Sequence, residues 1–234
     1  MSRDVQDSVF LVTSSDQGNQ QFGTGFAVDR DEAATYFLTC RHVVTDVGGQ
    51  NRVKVGDRPA KVVASGSKDG LHDLAVLRVE DSLDMPILRL RISGERGNSV
   101  ALAGFRSFAG AFIIRSIRGT LGEWIGLEAR QRLGRIVAWD LKITGDFDLE
   151  RGYSGSPVID DNTSDVIAIA SHRIGNRKGV AISIRTVDQI WPGTLFRTHC
   201  SYLREISVDG LEIYLTGQLV AWDRHPLLRY SETP

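Results

Sequence analysis

The sequence predicts an all-β fold, either a barrel or a sandwich. Short runs rich in β-branched and aromatic residues follow one another along the chain, and no 3.6-residue helical pattern separates them. The 24 glycines against 6 prolines fit short strands joined by turns. With 234 residues, the chain is long enough for one domain of about 200 residues with a full core. In chain order the runs are VFLVTSS, GTGFAV, YFLTC, RVKVG, KVVASG, LAVLRV, SVALAGF, FIIRSIRG, RIVAWDLKI, SPVID, VIAIAS and VAISI.

Charge and hydropathy exclude several kinds of partner. Lys and Arg number 28 against 29 Asp and Glu, and no long block of one sign occurs, which argues against a nucleic-acid or membrane-surface role. No stretch reaches the about 18 apolar residues of a membrane span, and the N-terminal residues lack the apolar core of a signal peptide. We therefore expect a cytoplasmic protein that binds neither nucleic acid nor membrane.

The two cysteines, Cys40 and Cys200, are too few for a secreted disulfide framework and fit a reducing compartment. We expect both thiols to be free, with Cys40 buried. Cys40 and His42 stand two residues apart, but no second Cys/His pair accompanies them at a useful spacing. We therefore expect no metal and no cofactor.

The run RGYSGSPV places Ser154 between two glycines, directly before a strand-like segment. A serine hydroxyl is a poor nucleophile until a base takes its proton, so a histidine and a carboxylate must lie elsewhere. His42 ends the run YFLTCRH, and Asp73 precedes the strand-like LAVLRV. His42, Asp73 and Ser154 are the predicted catalytic residues.

The order of these residues separates two classes of enzyme. In an α/β-hydrolase the serine comes first and stands in G-x-S-x-G, whereas here Ser156 occupies the last glycine position. His, Asp, Ser is the order of the chymotrypsin-type double barrel. The local contexts resemble the chymotrypsin/trypsin-like serine protease family, especially its bacterial and intracellular branch. The resemblance spans about residues 8–187 and includes GTGFAV at residues 23–28 and VIAIASHR at residues 166–173.

This resemblance implies two six-stranded antiparallel β-barrels. Residues 1–95 would form the first and carry His42 and Asp73, and residues 96–187 would form the second, with Ser154 and the specificity pocket. The polar stretch RISGERGNS reads as the linker between them. Residues 188–234 would be a short C-terminal extension, with a helix from Asp188 that Pro192 breaks and a strand or hairpin turning at Gly217.

The resemblance also implies the remaining site residues. The N–H groups of Gly152 and Ser154 would form the oxyanion hole. Asp148, six residues before the serine, holds the position of the carboxylate that selects Lys or Arg, although a solvated carboxylate is the plainer explanation for an acidic loop.

Four more residues are predicted to bind substrate. Ser171 and His172 would pair with its backbone, and Gly179 would form a pocket wall that admits a long side chain. Arg173 stands where the family carries a slender glycine, so it would either cover the pocket or pair with Asp148.

Tyr153 replaces the aspartate that receives a new N-terminus when family zymogens are cut. The serine loop must therefore be ordered constitutively, or by a partner or a ligand. The predicted function is a serine endopeptidase that cuts a protein or peptide substrate, under the control of an activating or inhibitory partner or as an effector on one dedicated protein. The alternative is a catalytically silent double barrel that binds peptides.

Overall fold

Strands dominate the computed structural model, which describes residues 3–66, 72–92, 94–128, 135–192, 203–208 and 211–216. The all-β prediction is confirmed. The strands of the first half are β1 (Val9–Ser14), β2 (Gly23–Arg30), β3 (Thr35–Thr39), β4 (Val53–Val55), β5 (Arg58–Pro59), β6 (Lys61–Ser65) and β7 (Ala75–Val79). Helix α1 (Arg3–Asp7) precedes them, and helix α2 (Arg41–Asp46) follows β3.

These strands form one antiparallel, nearly closed sheet in the order β5-β4-β1-β2-β3-β7-β6. The sheet has seven strands rather than six because the two-residue strand β5 adds to β4. Six of the eight residues of the central strand β2 are buried, as the small and apolar run GTGFAV requires. Strand β6, at the edge, alternates between exposed and half-buried residues.

The second half closes into the predicted six-stranded barrel, with the order β10-β13-β12-β11-β8-β9. Its strands are β8 (Ser99–Phe108), β9 (Ala111–Glu128), β10 (Arg135–Ile143), β11 (Pro157–Asp160), β12 (Val166–Arg173) and β13 (Lys178–Ser183). Pro157 begins β11 directly after the predicted catalytic serine, a position where the missing N–H of proline is tolerated.

Two clusters of buried apolar residues stabilise the two halves of the molecule. One fills the closed barrel and includes Leu102, Leu141 and Ile167. The other packs the first sheet against β12 and β13 of the barrel, through Ile169 and Ile182 among others. The two sheets are therefore joined by a shared apolar interface as well as by the connecting chain.

The segment between the sheets is bonded to β12. Leu90 forms a parallel bridge with Val166, the N–H of Arg91 donates to the Val166 carbonyl at 2.9 Å, and the N–H of Val166 donates to the Arg89 carbonyl at 2.8 Å. The chain is thus tied to the start of β12 by backbone hydrogen bonds where the predicted linker begins.

After β13 the chain forms a 3-10 helix (Ile184–Thr186) and helix α3 (Val187–Ile190), which ends before Pro192 as expected. Strands β14 (Leu203–Val208) and β15 (Leu211–Thr216) then form a hairpin. The predicted turn at Gly217 and the predicted free thiol of Cys200 lie outside the described residues. None of the described helices has the length and apolar character needed to cross a bilayer.

The packing of the barrel predicts that two isoleucines close together in the sequence contribute very differently to stability. Ile167, near the start of β12, is 1% exposed, whereas Ile174, just after β12, is 62% exposed. We expect Ile167→Ala to lower the free energy of unfolding by about 2–5 kcal/mol, because the barrel interior cannot fill the lost volume. We expect Ile174→Ala to change it by less than about 0.5 kcal/mol. Urea denaturation followed by circular dichroism measures both, and equal midpoints would contradict this packing.

Candidate active site

The histidine is positioned by a short helix and by one carboxylate. Strand β3 runs into Cys40, which precedes helix α2, and His42 is the second residue of that helix. Val43 and Val44 bury the other face of the helix in the core. Asp73 receives the His42 N–H on Oδ1 at 2.9 Å and lies 2.6 Å from His42 Nδ1 through Oδ2. Both carboxylate oxygens therefore fix the same residue, one its backbone and the other its ring.

Burial and charge act in opposite directions on this pair. Burial works to lower the pKa of His42, but the hydrogen bond and negative charge of Asp73, with a contribution from Asp46, raise this pKa above its usual value. Burial works to raise the pKa of Asp73, but hydrogen bonds from His42 and Ser171 and the charge of His42 hold it below its usual value. Asp73 is therefore a buried carboxylate that stays ionised, and it favours the protonated imidazole.

A residue of the second barrel completes the surroundings of Asp73. The Ser171 hydroxyl donates to Asp73 Oδ2 at 2.6 Å and also lies 2.6 Å from His172 Nδ1. Because a hydroxyl has one proton, Ser171 must accept its second hydrogen bond from the N–H at His172 Nδ1. The His172 ring lies 5.0 Å from the His42 ring. Two imidazoles therefore converge on one carboxylate, the second of them through Ser171.

The serine loop (residues 151–156) turns sharply at two glycines. Gly152 has φ +101° and Gly155 φ +88°, values that an L side chain rarely adopts. The Ser154 hydroxyl donates to the Ser171 carbonyl at 2.9 Å. Among the described residues it forms no hydrogen bond to His42. The structure thus brings Ser154 to the same short segment of β12 that contacts Asp73, with its hydroxyl directed at a carbonyl.

The two N–H groups predicted for the oxyanion hole are free in the described part of the chain. Neither the Gly152 N–H nor the Ser154 N–H donates to another described group, whereas the Gly155 N–H donates to the Ala170 carbonyl at 2.8 Å. Gly152 is needed here, since a Cβ at this position would lie 2.3 Å from the Phe22 ring and 2.4 Å from the Phe105 carbonyl. The loop can therefore present two donors to a ligand.

A small pocket opens beside Ser154. Its lining residues are Leu149, Glu150, Tyr153, Ser154, Ala170, Ser171, His172, Arg173 and Val180. Three of the predicted substrate-binding residues, Ser171, His172 and Arg173, are in this lining. The lining mixes apolar side chains with polar and charged ones. Its one carboxylate, that of Glu150, forms an ion pair with Arg106.

Asp148 and Gly179, the other two predicted substrate-binding residues, lie outside the lining. Asp148 is 44% exposed and pairs with Arg177 at 3.4 Å. Arg173 reaches the Leu149 carbonyl at 3.5 Å. Gly179 is buried beside the pocket, where an added Cβ would come 2.8 Å from Leu149 Cδ2. Gly179 and Leu149 are therefore in close contact beside the pocket, and the substrate-binding roles of Asp148 and Gly179 stay predictions.

Sequence reasoning missed the pocket roles of Leu149 and Tyr153. Tyr153 is 2% exposed, packs in the core of the closed barrel and donates to the Arg115 carbonyl at 3.3 Å. Burial, then the nearby charge of Glu150, raises its pKa to about 12. The signal in the sequence was the apolar character of Leu149 one position after Asp148, at the pocket edge of the loop.

Cys40, His42 and Asp73 offer ligand atoms within 4.8 Å of one another, so they are the described residues that could hold a metal. The Cys40 thiol is fully buried and donates to the Ala170 carbonyl at 3.3 Å. Burial, then the charge of Asp73, raises the pKa of this thiol well above its usual value. Metal binding needs a thiolate, so these donors fit a hydrogen-bonded His–Asp pair better than a metal.

A β-barrel and a nearly closed β-sheet with histidine, aspartate and serine gathered at their interface are the architecture of a trypsin-like serine protease. The family model described as a trypsin-like peptidase domain matches residues 23–169, more than half of the sequence. The chain belongs to this family and is a serine protease. No curated protein matches the sequence significantly.

Several solved proteases share the fold. The active form of the Rv3671c protease from M. tuberculosis is 23% identical, with a TM-score of 0.61 over 83% of this chain and 82% of that one. The MamO protease domain from Magnetospirillum magneticum is 19% identical, with a TM-score of 0.56 over 81% and 98%. A serine endoprotease from Yersinia pestis is 19% identical, with a TM-score of 0.55 over 82% and 64%. At these identities the likeness establishes the fold.

The close contacts of Gly152 predict that Gly152→Ala lowers proteolytic activity. The new methyl group would collide with Phe22 and the Phe105 carbonyl and would disfavour φ +101°, so the loop must move and turn its N–H groups away. We expect a roughly 100- to 1000-fold lower kcat on a fluorogenic peptide, the usual effect of losing an oxyanion donor. Gly110→Ala is the matched control, because Gly110 has φ +81° with nothing within 4 Å of an added Cβ. Similar losses in both variants would contradict the steric argument.

The raised pKa of His42 predicts how activity depends on pH. As the predicted general base, His42 must be neutral to act, so we expect activity to fall as the pH drops through its raised pKa. Asp46 contributes to raising this pKa, and Asp46→Asn should therefore move the acid limb of kcat/KM to lower pH. Asp57→Asn, an exposed change of the same charge, is the control. An acid limb that stays in place, or that moves equally in both variants, would contradict the assignment of His42.

Proposed function

We propose that the protein hydrolyses peptide bonds through Ser154, His42 and Asp73, with an acyl-enzyme intermediate on Ser154. The observation that carries the proposal is the pair of hydrogen bonds between Asp73 and His42. A buried, ionised carboxylate that binds both the backbone N–H and the ring of one histidine fixes its orientation and its tautomer. The N–H then lies at Nδ1, and Nε2 remains as the base.

The reaction begins when the Ser154 hydroxyl leaves the Ser171 carbonyl and turns to His42 Nε2. Catalytic hydrogen bonds are often formed only with substrate bound, so the present bond to Ser171 does not prevent this step. Nε2 takes the proton as Oγ attacks the substrate carbonyl carbon. The protonated His42 is stabilised by Asp73 and then gives its proton to the departing amine. Water, activated by the same nitrogen, releases the acyl group.

The negative oxygen that forms during the attack needs donors already in place. The N–H groups of Gly152 and Ser154 have no partner among the described residues and supply them. Because these donors belong to a loop fixed by two glycines with positive φ, little reorganisation is required during the reaction.

The pocket beside Ser154 would take the side chain on the acyl side of the scissile bond. A preference for Lys or Arg stays a prediction. Asp148 pairs with Arg177 away from the lining, and Glu150, which does line the pocket, pairs with Arg106. Leu149, Ala170 and Val180 support a side chain of modest size and apolar character at least as well.

Control by a partner also stays a prediction, as does a cytoplasmic location. Packing of Tyr153 in the barrel core supports a serine loop that is ordered without cleavage of the chain. An inhibitory partner or a narrow substrate range would then restrain the protease better than an unformed loop. The substrate remains a protein or peptide of unassigned sequence.

Reaction with a fluorophosphonate probe, followed by intact-mass measurement, tests the proposal. The wild type should gain one adduct, which peptide mapping places on Ser154. His42→Ala should slow this reaction by roughly 100- to 10,000-fold, because the hydroxyl loses its base. Ser154→Ala is the control for labelling elsewhere. Equal rates with and without His42, an adduct at another residue, or no adduct on the wild type would each overturn the proposed triad.

A further inference from the structure

Thr24 lies at the interface of the two sheets and uses all its polar groups there. It is the second residue of β2, is 0% exposed and faces the serine loop across the interface. Its N–H donates to the Ser154 carbonyl at 2.9 Å, and its hydroxyl donates to the Gly152 carbonyl at 2.7 Å. The same hydroxyl accepts from the Phe105 N–H at 2.9 Å, in β8. One residue of the first sheet thus binds the loop twice and the barrel once.

The two bonds to the loop fall on either side of Tyr153. Fixing the Gly152 and Ser154 carbonyls holds the planes of the two peptide groups that follow these residues, which restricts rotation of the backbone at both. These are the two residues whose N–H groups are free to act as oxyanion donors. Thr24 therefore restrains the loop backbone on both sides of Tyr153, next to the peptide groups that carry those donors.

Thr24 also links the loop to the histidine. The Thr39 hydroxyl donates to the Thr24 carbonyl at 2.7 Å, and Thr39 ends β3, directly before Cys40 and helix α2. A Cβ on Gly155 would lie only 2.0 Å from the Thr24 carbonyl, so the loop and β2 are in close contact here. A continuous path of buried hydrogen bonds runs from the end of β3, just before the helix that carries His42, through Thr24 to the serine loop.

From these contacts we infer that Thr24 is a positioning residue, which holds the serine loop in the conformation that presents the Gly152 and Ser154 N–H groups to substrate. It touches neither the substrate site nor the reacting atoms. The inference rests on the proposed function of Ser154, and it names a device within the chain that orders the loop in place of zymogen cleavage. Its hydroxyl is required, because a methyl group in the same place can neither donate to Gly152 nor accept from Phe105.

The test compares Thr24→Val, which keeps the shape and loses the hydroxyl, with Thr24→Ser, which keeps the hydroxyl. Thr35→Val is the matched structural control. Thr35 is also buried in the first sheet, and its hydroxyl donates to the Asp81 carbonyl at 2.8 Å and accepts from the Leu83 N–H at 2.9 Å, remote from the serine loop. Thr24→Val and Thr35→Val both remove a buried hydroxyl that donates one hydrogen bond and accepts another, but the groups that the hydroxyl binds differ. Thr24→Ser keeps the hydroxyl.

We expect Thr24→Val to lower kcat on a fluorogenic peptide by roughly 10- to 100-fold, with KM changed by less than about threefold, since misplaced oxyanion donors act on the transition state. The rate of fluorophosphonate labelling should fall in parallel. Thr24→Ser should keep kcat within about threefold of the wild type. Thr35→Val should lower Tm about as much as Thr24→Val and leave kcat unchanged.

Three results would overturn the inference. They are a wild-type kcat in Thr24→Val, an equal loss of kcat in Thr24→Ser and Thr24→Val, or a loss of kcat in Thr35→Val that matches its decrease in Tm. If Thr24→Val does not fold, Thr24→Ala decides by the same change of kcat at constant KM. A wild type that neither turns over peptide nor reacts with the probe would instead refute the proposed function. Active wild-type protein with an unimpaired Thr24→Val variant would refute the role of Thr24 alone.

Discussion

The structure of the site depends on a buried negative charge, the carboxylate of Asp73. Such a charge is tolerated only when its hydrogen bonds are complete. Here the donors come from both halves of the molecule, two from His42 and one from Ser171 on β12. The first sheet must therefore meet the barrel in one relative position. The apolar interface that includes Ile169 and Ile182 supplies the free energy of contact, and Asp73 sets its alignment.

The serine loop is the second constraint, and it is a steric one. Gly152 and Gly155 both have positive φ, and both leave no room for a Cβ against neighbouring backbone atoms. Tyr153 between them is anchored in the barrel core. The two glycines thus restrict the backbone of the loop, and the burial of Tyr153 holds the residue between them. The Ser154 side chain is left as the part that can still rotate.

The sequence predicted the parts of the site that local motifs encode. His42, Asp73 and Ser154 each stand next to a strand whose pattern is visible in the sequence, and the structure brings their surroundings together on β12. Asp148 was placed by counting back along a loop, and counting cannot show that Leu149 turns inward while Asp148 turns to Arg177. Thr24 escaped notice because its partners lie 81 and 128 positions away. The extra strand β5 was missed because two residues carry no periodic pattern.

Cys40 gives this arrangement a built-in reporter. Its thiol lies beneath the His–Asp pair, is 0% exposed and strongly disfavours the reactive thiolate. A maleimide can therefore modify Cys40 only when the packing around this thiol opens, and peptide mapping distinguishes that reaction from one at Cys200. The rate of that modification measures how often the interface opens in the native protein, and hence the lifetime of the assembled site, without any substrate being present.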